Sequence, residues 1–185
     1  MLSINYFEII QKYIPAGSKL YQIYIIHAAQ VTVKAVRIAE KLKLKPSEIK
    51  FIEEAGMLHD IGVSQVANLN YPDIYTGTLP YLHHGLAGRK ILETLNLPRH
   101  AKVAERHSGV GITKEEIIRK KLPLPVRDFV PKTLPEKIIA WSDIFYRKLP
   151  TELWREKSIG EAREFVGSFG AEKVKIFDQW LKLFN

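Results

Sequence analysis

Apolar residues recur at steps of three and four along almost the whole chain, and this periodicity leaves little choice of fold class. Leu20, Tyr24, His27, Val31, Ala35 and Ile38 mark one face of a long helix. Ser18 can cap that helix, which is expected to run to about Lys43. An amphipathic segment over residues 3–14 precedes it and ends near Pro15-Ala16-Gly17. Pro46 suits the first turn of the next helix, which carries Ile49, Ile52, Glu53, Gly56 and His59 and is expected to stop at His59-Asp60, with Gly62 left-handed beyond it. Helical pattern returns at about 81–95 and 98–107, and a Thr113/Glu116 capping box opens a short helix to Lys121. Pro135 then begins the helix containing Asp143. No alternating run is long enough for a sheet. The expected fold is all-α and single-domain: an N-terminal helix (1–17), a helical core (18–150) and a C-terminal helical extension packed on it (151–185). That extension reads as two helices split at Gly170, the first opened by a Ser158/Glu161 capping box. The apolar stripe Ile176, Phe177, Trp180, Leu181 and Phe184 either buries itself or pairs with a second subunit, so a homodimer is the oligomer to consider.

Composition narrows the function classes. Cysteine is absent, which excludes disulfides and thiolate metal ligands. No apolar run approaches the roughly 20 residues of a membrane-spanning helix. Met1-Leu2-Ser3-Ile4-Asn5-Tyr6-Phe7 lacks the basic start and cleavage site of a secretory signal, so a cytoplasmic location is expected. The net charge of +8 is spread along the helices, as at Lys34, Arg37, Lys41, Lys43 and Lys45, in the manner of a solvated face. It favours an anionic small molecule such as a nucleotide, with nucleic acid as a second partner class.

The chemistry concentrates at His59-Asp60, an imidazole beside a carboxylate at a helix end. An acid there opposes the helix dipole, which is itself a hint of a cation. Four more residues can supply ligands. His27 lies on the inward stripe of the long helix, and His84 opens a helix in a run of small residues, His84-Gly85-Leu86-Ala87-Gly88. His107 closes the helix before Ser108-Gly109, and Asp143 sits in the otherwise apolar Ile138-Ile139-Ala140-Trp141 face. A carboxylate has two oxygens, so Asp60 can bridge two ions. Four imidazoles with two carboxylates suit a divalent transition metal, one or two ions of Fe, Mn, Co, Ni or Zn, better than Mg. His83 is the rival of His84, with a supporting or phosphate-binding role as the other option. His100 is expected at the surface. Arg147 and Lys148, one turn past Asp143, either meet a phosphate or face solvent. Specificity is expected from the irregular stretch 63–81, with Tyr71, Tyr75 and Tyr81, and from the 108–134 connector.

The order His27, His59-Asp60, Asp143 resembles the HD-domain metal-dependent phosphohydrolases, and Ile61-Gly62 resembles their HDIG branch. His84 and His107 match the two intermediate histidines of binuclear members. The stretches around His84-Gly85, Glu105-Arg106-His107-Ser108-Gly109 and Pro135-Glu136-Lys137-Ile138 are most similar to bacterial HD hydrolases that split diadenosine tetraphosphate symmetrically. The resemblance covers roughly residues 20–150. It implies an HD-type bundle that cleaves a phosphoester or phosphoanhydride of a nucleotide-type substrate with a metal-activated hydroxide. One ion falls to His27, His59, Asp60 and Asp143, the other to Asp60, His84 and His107, and His59, Asp60 and His83 are the catalytic candidates. The alternatives are a mononuclear 5′-nucleotidase-like hydrolase and a catalytically silent module binding nucleotide or nucleic acid. Two departures stand out: no Gly-Tyr-Pro occurs anywhere in the chain, and Val63 stands where HDIG proteins commonly carry a lysine suited to substrate phosphate.

Overall fold

The computed structural model describes residues 4–185, and these form nine α-helices: α1 (Tyr6–Tyr13), α2 (Lys19–Lys41), α3 (Pro46–Leu58), α4 (His84–Thr94), α5 (Pro98–Arg106), α6 (Lys114–Lys120), α7 (Leu134–Ile144), α8 (Ile159–Gly167) and α9 (Ala171–Phe184). Short 3-10 turns at Ile61–Gln65 and Tyr81–His83 lie between α3 and α4. Among the described residues the extended pairing is limited to isolated bridges, Val66 with Leu79, Ala67 with Thr76 and Ile112 with Phe129. The chain is therefore all-α, and no helix among the described residues is long and apolar enough to cross a membrane.

Local chemistry sets the helix boundaries. Ser18 accepts the Tyr21 amide at the start of α2, and Pro46 occupies the first turn of α3. Ser158 and Glu161 complete a reciprocal capping box on α8. At α6 only half of the expected box forms: Thr113 accepts the Glu116 amide, but the Glu116 carboxylate is taken by Lys120 and Lys173. Gly62 also departs from expectation, because it lies inside a 3-10 turn and has no positive φ. Its need for glycine is steric: a Cβ there would stand 2.0 Å from the His84 carbonyl oxygen and 2.3 Å from the Gly88 nitrogen.

Two apolar clusters hold the bundle. One gathers Val31, Ala35, Ile52, Ile138, Ile139, Trp141, Phe177 and Phe184 from α2, α3, α7 and α9. The other joins Ile10, Tyr24, Ala28, Leu58, Ile61, Leu92 and Ala104 from α1 to α5. On α2 the boundary falls between Ala28 and Val31, so His27 lies close to the seam between them. The C-terminal stripe is used within the chain: Phe177 and Phe184 pack their rings 4.7 and 6.0 Å from that of Trp141.

Candidate metal centre

Five elements deliver the six polar residues. His27 comes from the middle of α2, and His59 and Asp60 continue the backbone at the end of α3. His84 opens α4, His107 follows the end of α5, and Asp143 lies in the last turn of α7. Glycines set the approach of α4 to its neighbours. Gly62 meets its backbone directly, and a Cβ on Gly85 would lie 2.9 Å from the Ala104 carbonyl oxygen. The small residues after His84 thus let α4 wedge between the His59-Asp60 turn and α5. All five of His27, His59, Asp60, His84 and His107 are buried, and the Asp143 side chain is 15% exposed.

Asp60 divides the cluster in two. Its Oδ2 lies 3.3 Å from His27 Nε2 and 3.5 Å from His59 Nε2. Asp143 Oδ1 joins that side, 3.0 Å from His27 Nε2 and 3.6 Å from His59 Nε2. The other oxygen, Oδ1, is 3.3 Å from His107 Nε2 and 3.6 Å from His84 Nε2. Within each group the candidate donor atoms lie within 4.8 Å of one another.

Three of the imidazoles have a fixed tautomer. Nδ1 of His59, His84 and His107 lies 2.6, 2.8 and 2.8 Å from the carbonyl oxygens of Gly56, Tyr81 and Ala104, each three residues earlier. A carbonyl only accepts, so Nδ1 carries a proton and Nε2 is the nitrogen turned inward. His84 and His107 then turn their Nε2 atoms toward each other at 3.1 Å beside Asp60 Oδ1, an arrangement that suits a shared cation. His59 Nε2 and Asp60 Oδ1 are buried without a hydrogen-bond partner, which costs free energy unless an ion satisfies them. Burial lowers the His84 imidazole to about 4, so its ring is neutral near pH 7. For Asp60 and Asp143 burial alone would push the carboxyls up, but the Lys148 ammonium and the nearby imidazoles hold both well below the usual carboxylate range. Imidazoles that present Nε2, together with ionised carboxylates, are the donor set a divalent transition metal takes.

Of the two basic residues after Asp143, the structure separates their fates. Lys148 donates from Nζ to Asp60 Oδ2 and lies 3.4 Å from His27 Nε2, whereas Arg147 turns outward to Glu152 at 3.2 Å. His83 is not brought to the cluster, because its ring hydrogen-bonds the Pro123 carbonyl in the connector. His100, expected at the surface, is buried where α5 meets α3: its ring stands edge-on to Phe51 and its Nε2 is 3.5 Å from Glu54. The cluster opens into a cavity of about 510 Å³, a size suited to a small-molecule ligand. Tyr75 and Tyr81 form one side of it, and Lys148 lines it beside Asp143.

Comparison with known proteins fits this geometry. A family model described as HD domain matches residues 24–148. A tRNA (cytidine(56)-2′-O)-methyltransferase of Picrophilus torridus is 36% identical over 120 residues, 64% of this chain and 30% of that protein. An uncharacterised protein of Methanocaldococcus jannaschii is 38% identical over 120 residues, 63% of this chain and 62% of that protein. The chain thus spans about a third of the methyltransferase and under two thirds of the second relative. Among solved structures, the HD domain of the Listeria monocytogenes phosphodiesterase PgpH superposes with a TM-score of 0.53 at 18% identity, covering 91% of this chain and 92% of that one. The same domain in complex with cyclic-di-AMP gives 0.53 at 17% identity, covering 91% of each chain.

Proposed function

The chain belongs to the HD domain family, and from that premise we propose that it is a metal-dependent phosphohydrolase acting on a phosphoester or phosphoanhydride of a nucleotide-type substrate at a binuclear centre. The observation that carries this reading is Asp60, which turns one oxygen to the His27/His59/Asp143 group and the other to the His84/His107 pair. Ions bound in the two groups supply Lewis-acid activation of water and of the phosphoryl group. The chain's own residues do the rest. The carbonyls of Gly56, Tyr81 and Ala104 hold three rings with Nε2 inward. Lys148 presents a cation at the same carboxylate from which a phosphate oxygen would be approached.

Elemental analysis of the purified protein, with a hydrolysis screen over mononucleotides, cyclic nucleotides and dinucleoside polyphosphates, tests the reading. Two transition-metal ions per chain and phosphate or nucleotide release are expected. A protein that holds no such metal and hydrolyses nothing after metal addition overturns it. One ion per chain with 5′-nucleotidase activity moves the assignment to a mononuclear hydrolase.

A further inference from the structure

The family match ends at Lys148, but the cavity continues past it. Beyond the matched residues it is lined by α8, α9 and the segments flanking α8, through Lys157, Phe165, Phe169 and Lys173. We propose that this wall is a nucleobase subsite: the substrate is a nucleoside phosphate whose phosphate lies at Asp60 and Asp143 and whose base lies on the rings of Phe165 and Phe169. The proposal rests on the phosphohydrolase reading of the centre and adds to it the group that is recognised.

The two phenylalanines are not what anchors α8. Ala162 and Val166 are buried in the core and fix the helix, while Phe165 and Phe169 remain 38% and 48% exposed. Their rings stand edge to face at 5.3 Å and both line the cavity. An exposed aromatic pair inside a cavity is a surface on which a planar base stacks. The tyrosine side differs: Tyr75 is 3% exposed, so its ring has no free face to offer a base.

Lys157 connects the two ends of the cavity. Lys157 Nζ donates to the Ile144 carbonyl at 2.7 Å, next to Asp143, and lies 5.0 Å from the centre of the Phe165 ring. A single ammonium therefore links the metal-facing end of α7 to the aromatic wall. Lys120 and Lys173 share the Glu116 carboxylate, and Lys120 also donates to the Phe169 carbonyl at 2.9 Å. What this wall offers a ligand is ring surface more than unpaired charge, which selects a base over a second phosphate.

AMP and ribose 5-phosphate share sugar and phosphate and differ by the base, so their calorimetric titration into the purified, Mn²⁺-supplied protein reads the subsite alone. The wild type is expected to bind AMP about tenfold or more tightly than ribose 5-phosphate. The double variant Phe165→Leu/Phe169→Leu keeps apolar bulk and removes the rings. It is expected to bring the ratio to within about twofold, with ribose 5-phosphate affinity unchanged. Should it fail to fold, Phe169→Leu alone, at the more exposed ring, reads the same effect. A ratio near one in the wild type, or an unchanged ratio in a folded variant, overturns the subsite. The two readings fail separately. A ring-dependent AMP preference in a protein without metal or hydrolysis keeps the subsite and removes the phosphohydrolase. Metal and hydrolysis with a ring-independent ratio do the reverse.

Discussion

Lys148 extends from the turn after α7 and donates to Asp60 Oδ2, the carboxylate oxygen that also faces His27 and His59. A cation held there is placed to meet the charge that develops on a transferred phosphoryl group. Lys148→Ala is expected to lower kcat/KM by about 10²- to 10³-fold, in line with removal of one preorganised charge contact. Metal content is expected to stay the same, and Lys148→Arg to recover part of the rate. Steady-state kinetics paired with elemental analysis checks this. Loss of metal in the alanine variant would instead make Lys148 a support for Asp60.

The split of the cluster around Asp60 predicts a pattern of metal stoichiometry. Asp143→Asn removes a donor from the His27/His59 side only, and His84→Ala removes one from the His107 side only. Each is expected to lose one ion per chain and retain the other. Asp60→Asn touches both sides and is expected to weaken both. Metal counts from the three purified variants decide the matter, and a His84→Ala protein that keeps its full complement would place the second ion elsewhere.

Gly62 is where backbone meets backbone. A methyl group there would stand 2.0 Å from the His84 carbonyl oxygen, so α4 must move before alanine fits. Gly62→Ala is expected to cost about 3 kcal/mol, the upper end for overpacking. For a chain of this size that is a fall of roughly 6–12 °C in Tm. Because the displaced helix carries His84, metal retention should fall with it. Thermal melts of both proteins measure the first effect, and a loss under about 1 kcal/mol would show that α4 yields easily.

The six candidate residues were legible in the chain because they sit on or at the ends of five periodic helices and follow the His, His-Asp, Asp order of a known pattern. Lys148 was not assigned, and the reason is physical. Helix α7 ends at Ile144, so residues 145–149 leave the helical phase and no wheel says which of Arg147 and Lys148 turns inward. Gly62 was misread for a related cause: sequence shows a glycine after a helix but not the passing backbone that requires it. His100 looks like a surface residue until α5 docks on α3 and brings it to Glu54 and Phe51. The aromatic wall of Phe165 and Phe169 depends on how the last two helices fold back over the cavity, a tertiary fact with no local signal.

Lys157 provides a pH-dependent readout of stability. Its residue is 5% exposed, and burial lowers the ammonium from the ordinary 10.5 to about 8, with Asp143 opposing the shift. Between these two values the unfolded chain holds more protons on this group than the folded chain, so the contribution of Lys157 to stability rises with pH across that window. Below about pH 8 both states are protonated and the cost of burying the charge is constant. The stability of the wild type relative to Lys157→Met is therefore expected to be flat up to about pH 8 and then to climb, by no more than about 1.4 kcal/mol per pH unit. Urea denaturation of both proteins from about pH 7 to about pH 10 gives the difference curve. A curve that stays flat, or falls, would show that Lys157 is ionised in the folded protein throughout that range and that its bond to the Ile144 carbonyl is enough to hold the charge.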